Sequence, residues 1–212
     1  LLITTFFTLL LMGFAGGSYG QSFEETKRLA EQGDATAQKN LGRMYADGDG
    51  VPMNTADAIK WYRQSGEQGN KDALAMLGEL YERGENGVPR NIAEAIKWYR
   101  PSAEQGNLFA QTRLGEMYLY GLDVPENVAE AAKWYRLLAE QGNLPGQNKL
   151  GEILSKKIKR GSVTENDGEA VKWYRSAAEQ GYRQAQGNLG FMYAEGDGVP
   201  QSNLKAYVWL SV

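Results

Sequence analysis

The sequence predicts an all-α chain: a right-handed α/α solenoid of about five stacked helix pairs. Three observations carry this. The peptide Trp-Tyr-Arg recurs at Trp61, Trp98, Trp134 and Trp173, with spacings of 37, 36 and 39 residues. A fixed period of this size marks one supersecondary unit that is copied and stacked. Glu-Gln-Gly occurs five times, ending at Gly33, Gly69, Gly106, Gly142 and Gly181. Between these marks run apolar stripes at i, i+4 and i+8: Ala37, Leu41 and Tyr45, then Ala73, Leu77 and Tyr81, Ala110, Leu114 and Tyr118, and Ala185, Leu189 and Tyr193. That spacing is one face of a helix.

Residues 1–20 come first. They carry no charge, and Leu1 to Ala15 is almost wholly apolar. Such a run is shorter than the roughly 20 residues that span a bilayer. Ser18 and Gly20 fit the small −3 and −1 positions of a signal-peptidase site, so 1–20 reads as a secretory signal cleaved before Gln21. An uncleaved anchor is the competing reading. The chain starts without Met or a basic region and stops at Val212 within a helical pattern, so both ends read as cut.

Residues 21–33 form an N-terminal capping helix, from about Phe23 to Gln32, opened by a capping box of Ser22 and Glu25. Five repeats follow: 34–69, 70–106, 107–142, a divergent 143–181, and an incomplete 182–212. In each, the Gly of Glu-Gln-Gly supplies a left-handed helix end. Asp34, Asn70, Asn107 and Asn143 then cap the next helix, with Tyr182 in the fifth unit. A Gly follows the central Leu each time (Gly42, Gly78, Gly115, Gly151, Gly190). Gly inside a helix costs about 1 kcal/mol relative to Ala, so a neighbour must approach too closely for a side chain. The first helix stops at Gly48, Gly84, Gly121 and Gly196. Val-Pro then enforces the break at Val51, Val88, Val124 and Val199. Asn54, Asn91, Asn127, Asn166 and Ser202 stand where the second helix needs its cap, and the Trp-Tyr pairs of that helix are expected in the core. Pro101 predicts a kink in the second helix of unit two. In unit four, Ile153 to Arg160 replaces the usual turn and predicts a longer, basic loop.

These marks resemble the Sel1-like repeat (SLR) family, a relative of the tetratricopeptide repeat. The family pattern, Ala-x-x-x-Leu-Gly-x-Met-Tyr, Gly-x-Gly-Val and Ala-x-x-Trp-Tyr, is met at Ala37, Leu41-Gly42, Met44-Tyr45, Gly48 to Val51, Ala58 and Trp61-Tyr62. The resemblance runs from about Gln21 to Val212. It implies a bacterial scaffold whose first helices line an inner, concave groove. Many secreted members carry a disulfide in each repeat; this chain has no Cys.

Composition narrows the chemistry. The net charge is −3, which argues against a nucleic-acid surface. There is no His and no Cys, so the usual general base, thiolate nucleophile and zinc ligands are missing, as is a Cys for lipid attachment. Asp47-Gly48-Asp49-Gly50 faintly resembles a calcium loop but lacks the further ligands; a plain turn is the stronger reading. Ser202-x-x-Lys205 matches the Ser-x-x-Lys of serine β-lactamases, a label some secreted relatives carry, without the supporting elements. The Trp-Tyr pairs could form a carbohydrate ladder, and Lys156, Lys157, Lys159 and Arg160 could meet an anionic polymer or a membrane surface. Core packing and a solvated loop are the stronger readings.

The candidate site is the groove side of the first helices. Two residues after each Leu stand Arg43, Glu79, Glu116, Glu152 and Phe191, expected as a row bordered by carboxylates. Unit three adds Phe109, Leu119 and Tyr120 where its siblings are mostly polar or small. Aromatic anchors dominate interface energy while rim charges mainly steer. The expectation is an exported, periplasmic or secreted, monomeric, non-catalytic adaptor. It would need no cofactor or metal, bind a protein or peptide, and have no stable membrane insertion once the signal is removed. An envelope hydrolase of β-lactamase or peptidoglycan-active type and a cell-wall-binding module are the alternatives.

Overall fold

The computed structural model describes residues 22–84, 87–155 and 166–211. The signal segment 1–20 and the basic cluster from Lys156 to Arg160 lie outside the described residues. Eleven helices and no strand are present among the described residues: α1 (Phe23–Glu31), α2 (Ala35–Asp47), α3 (Thr55–Glu67), α4 (Lys71–Arg83), α5 (Ile92–Glu104), α6 (Leu108–Tyr120), α7 (Val128–Glu140), α8 (Leu144–Leu154), α9 (Asp167–Glu179), α10 (Arg183–Glu195) and α11 (Asn203–Leu210). Extensive packing joins helices adjacent in sequence, and α4 also touches α6. This is the α/α solenoid that the period predicts, in which each unit contacts only its neighbours.

The caps form as the sequence requires. Asn54, Asn91, Asn127 and Asn166 accept the N–H of Asp57, Glu94, Glu130 and Glu169. Asp34, Asn70, Asn107 and Asn143 do the same for the first helices, whereas Tyr182 makes no side-chain cap bond. Asn91→Ala should cost about 1 kcal/mol, read as a lower midpoint in urea unfolding followed by far-UV circular dichroism. Pro101 does not interrupt α5, which runs on to Glu104. It stands in the last turn and lacks the N–H that would bond the Lys97 carbonyl. In unit four, α8 is 11 residues long against 13 in its siblings and ends at an extended Ser155 instead of a left-handed Gly.

The Trp-Tyr-Arg peptide divides its labour. The tyrosines Tyr62, Tyr99, Tyr135 and Tyr174 are the buried members, each laid against the Gly that follows the Leu of its own unit. A Cβ built on Gly42, Gly78, Gly115 or Gly151 would stand 2.7, 2.5, 3.0 and 2.7 Å from those rings. The tryptophans sit at seams between units: Trp134 is buried, while Trp61, Trp98 and Trp173 are half-buried, less than a pure core reading expects. The arginines staple one unit to the next. Arg63 and Arg100 lie over Trp98 and Trp134, each 5.7 Å from the ring centre. Arg100 and Arg136 reach Glu130 and Glu169 at 3.3 and 2.6 Å.

A glutamine series, buried at Gln38, Gln111 and Gln147 and half-buried at Gln186, completes the joints. Gln38, Gln111, Gln147 and Gln186 donate to the carbonyls of Ala30, Ala103, Ala139 and Ala178, at the end of the preceding helix. Buried amides need such partners. Unit two instead has Leu74, and the opposing Ala becomes Gly66, where a Cβ would fall 2.6 Å from the Leu74 side chain. The largest continuous core cluster runs from Leu119 to Ala206, across units three to five.

Candidate binding face

The first helices α2, α4, α6, α8 and α10 each present two aligned positions that stay outside the buried core. One before the Leu stand Asn40, Met76, Arg113, Lys149 and Asn188; two after it stand Arg43, Glu79, Glu116, Glu152 and Phe191. Between α2, α3 and α4 lies a depression of about 270 Å³. Ala46, Tyr62, Met76 and Leu80 supply its apolar lining, and Arg43, Asp47, Glu79 and Arg83 its charges. A second depression, of about 440 Å³, is lined by Glu79, Glu82, Arg83, Arg90, Phe109 and Arg113. Glu79 and Arg83 border both, so the two adjoin.

Of the expected site residues, Arg43, Glu79 and Phe109 therefore line these depressions. Phe109 is 40% exposed and packs edge-on against Tyr99, with ring centres 6.0 Å apart. Tyr120 and Phe191 are exposed as well. Leu119 is a correction: it is 2% exposed and belongs to the core cluster, so it cannot meet a partner. Its aligned siblings are Ala46, Glu82, Ser155 and Ala194, and it packs inward as an apolar side chain should.

The row of glutamates is not a row of bare carboxylates. Glu79 stands 3.6 Å from Arg83. Glu116 is gripped by Arg113, and Glu152 by Lys149 at 2.6 Å and by Asn148 at 2.8 Å. Arg43 lies 3.5 Å from Asp47 and 3.8 Å from Asp49. These aspartates belong to the loop that resembles a calcium site; Gly48 there is a left-handed helix end. Among the described residues no group of three acidic residues is placed to hold a metal.

Reasoning from sequence missed the centre of this face, which is Glu82. Its carboxylate accepts from the Tyr99 hydroxyl at 2.7 Å and from Arg113 through Nε at 3.2 Å and Nη2. Arg90 donates to its main-chain oxygen at 3.1 Å and forks onto Asp123. Burial pushes the Glu82 carboxyl up, but the bonds from Arg113 and Tyr99 and the charges of Arg113 and Arg90 outweigh it and hold it below the usual range. Burial, then the bond to Glu82, pushes the Tyr99 phenol up. The cluster ties unit two to unit three beneath Phe109. Further along, Asn188 donates to Asn148 at 2.9 Å, linking units four and five.

The Ser-x-x-Lys pair serves to start and brace a helix. Ser202 accepts the Lys205 N–H as the cap of α11, and the Lys205 ammonium lies 5.2 Å from the centre of the Tyr193 ring. No helix among the described residues is long and apolar enough to cross a membrane.

The Sel1 repeat model matches residues 35–70, 71–107, 108–143, 145–182 and 183–211. Among solved structures, the chain is similar to c5321, a protective antigen present in uropathogenic Escherichia coli strains displaying an SLR fold, with a TM-score of 0.78 and 36% identity over 88% of this chain and 39% of that one. It is also similar to a Sel1 repeat protein from Oxalobacter formigenes, with a TM-score of 0.73 and 32% identity, covering 88% of this chain and 78% of that one. A putative sel1-like repeat-containing protein L18 of Acanthamoeba polyphaga mimivirus is 45% identical over 51 residues, 24% of this chain and 9% of that protein. The chain thus spans under half of the E. coli antigen and about a tenth of the viral protein. With five matched repeats and an all-helical stack, the chain belongs to the Sel1 repeat family.

Proposed function

We propose that the protein is an exported, non-catalytic scaffold or regulator that holds a protein partner along the concave face built by its first helices. Repeats of this family are protein-interaction modules, which supports a protein as the partner. The observation that carries the assignment to this face is the adjoining pair of depressions on α2, α4 and α6, with Phe109 at one edge. The mechanism is preorganisation. Stapled joints hold several weak contacts in register, so little ordering entropy is lost on binding. The apolar, uncharged segment 1–20 supports export to the periplasm or beyond.

The test is capture of partners from an envelope extract of the producing cells. Replacing Phe109 and Tyr120 together with Ser should cut capture at least about tenfold, since loss of two exposed anchors exceeds the 1.4 kcal/mol that a decade requires. Leu137→Ser, on α7, should leave capture unchanged. Equal capture by all three proteins would remove this face from the function. Hydrolysis of a chromogenic β-lactam, abolished by Ser202→Ala, would replace the scaffold reading with an enzyme.

A further inference from the structure

We propose that Arg83 is the anchor of this face, and that its ligand is an extended segment of a partner protein carrying a carboxylate side chain between apolar residues. The inference rests on the reading that the first helices bind a protein, and it names the chemistry they take. Arg83 borders both depressions. Two of the neighbouring arginines, Arg113 and Arg90, are already committed, and Arg43, across the first depression, lies between Asp47 at 3.5 Å and Asp49 at 3.8 Å. All three nitrogens of the Arg113 guanidinium are bonded to Glu82 and Glu116. All three of Arg90 are bonded to Glu82 and Asp123.

Arg83 differs. Among the described residues its one ionic contact runs from Nε to Glu79 at 3.6 Å, beyond hydrogen-bond reach. Its side chain is 61% exposed, against 29% for Glu79. The guanidinium is thus the more accessible member of the pair. The terminal nitrogens form a fork that fits a carboxylate through two parallel bonds. Of the other acids, Glu82 has both oxygens engaged by Arg113 and Tyr99, so it offers a cation little, and Asp47, across the first depression, already faces Arg43 at 3.5 Å.

Apolar surface lies on either side of the fork. Met76 and Leu80 line the depression toward unit one, and Phe109 lines the depression toward unit three. Packed helices stand about 10 Å apart and an extended chain advances about 3.3 Å per residue, so roughly three residues carry a peptide from one depression to the next. A ligand of the form apolar, spacer, acidic, spacer, apolar thus places its acid at Arg83.

The experiment is a nuclear magnetic resonance titration of the full chain, labelled at methionine methyls and arginine side chains. The probes are two synthetic peptides, Gly-Leu-Ser-Glu-Ser-Phe-Gly and the same peptide with Lys for Glu. The acidic peptide should shift the Met76 methyl and the Arg83 Nε–H signals, with about tenfold or greater preference over the lysine peptide. Arg83→Glu, checked by an unchanged melting temperature, should reverse that preference. A lysine peptide that binds the unaltered groove as well or better overturns the acidic anchor while leaving the binding face intact. Shifts confined to signals far from Met76 and Arg83, or no shift with either peptide, also overturn the proposal. The face itself then stands or falls on the Phe109 and Tyr120 capture result.

Discussion

Gly78→Ala should destabilise the protein by about 1–3 kcal/mol, although Ala is the better helix former. The new Cβ would lie 2.5 Å from the Tyr99 ring, closer than real contacts allow. The ring has nowhere to retreat. Tyr99 is wholly buried, its hydroxyl is held by Glu82, and Phe109 packs on it. The same substitution at Gly115 should cost least of the four Tyr-facing glycines, because Tyr135 is 3.0 Å away; Gly42 and Gly151, both at 2.7 Å, should fall between. The control is Gly187→Ala in α10. Nothing lies within 4 Å of that Cβ. Removing a helical Gly there should stabilise by about 0.5–1 kcal/mol. Urea unfolding of the five variants gives the order directly. A stabilised Gly78→Ala would mean that the Tyr-on-Gly contact does not set how the two helices of a unit pack.

Arg113→Ala should cost about 2–4 kcal/mol, more than a surface ion pair is worth, because it strands the Glu82 carboxylate at 16% side-chain exposure. The aligned joint between units one and two shows an apolar solution: Ala46 and Met76 stand where Glu82 and Arg113 stand. The double variant Glu82→Leu, Arg113→Met should therefore recover part of that loss, since apolar replacement of a buried pair is often neutral, with the remainder coming from the Tyr99 hydroxyl, which loses its acceptor. Acid separates the two further. The Glu82 carboxyl is held below its ordinary value of 4.5 in the folded state. Its contribution is thus present above the unfolded value and is lost as pH falls through the lower, folded one. The parent should lose this stability in acid, and the double variant should show a shallower decline. Unfolding midpoints measured from pH 7 down to pH 3 check both claims. Equal acid sensitivity of parent and double variant would place the effect elsewhere.

What could be read from the chain was whatever repeats with its chemistry unchanged. The period, the Asn caps, the left-handed glycines and the close approach at Gly42, Gly78, Gly115 and Gly151 all follow from local rules that the fold does not override. The site was less legible where one aligned position changes character. Position 119 is Leu, but its siblings are Ala46, Glu82, Ser155 and Ala194, and no period tells which of these turns inward. Leu119 and Ser155 do, whereas Glu82 stays half-buried, paired with Arg113 from the next unit. That partner lies 31 residues away, beyond any local pattern. The buried Gln38, Gln111 and Gln147 were hidden for a related reason: a polar residue inside a helix reads as surface until a carbonyl from the preceding helix is seen beside it. The pairing of the glutamates, by contrast, had a signal. Glu79 with Arg83, Arg113 with Glu116 and Lys149 with Glu152 are spaced at i+4 or i+3, where charges on one helix meet.

The claim beneath this account is that the first helices, and not the outer surface of the second helices, hold the partner. Photocrosslinking in the producing cells tests it most directly. A photoreactive phenylalanine replaces Tyr120 on α6 in one protein and the exposed Lys97 on α5 in another. The account predicts a discrete adduct from position 120 and none from position 97. An adduct from position 97 with position 120 silent would contradict it.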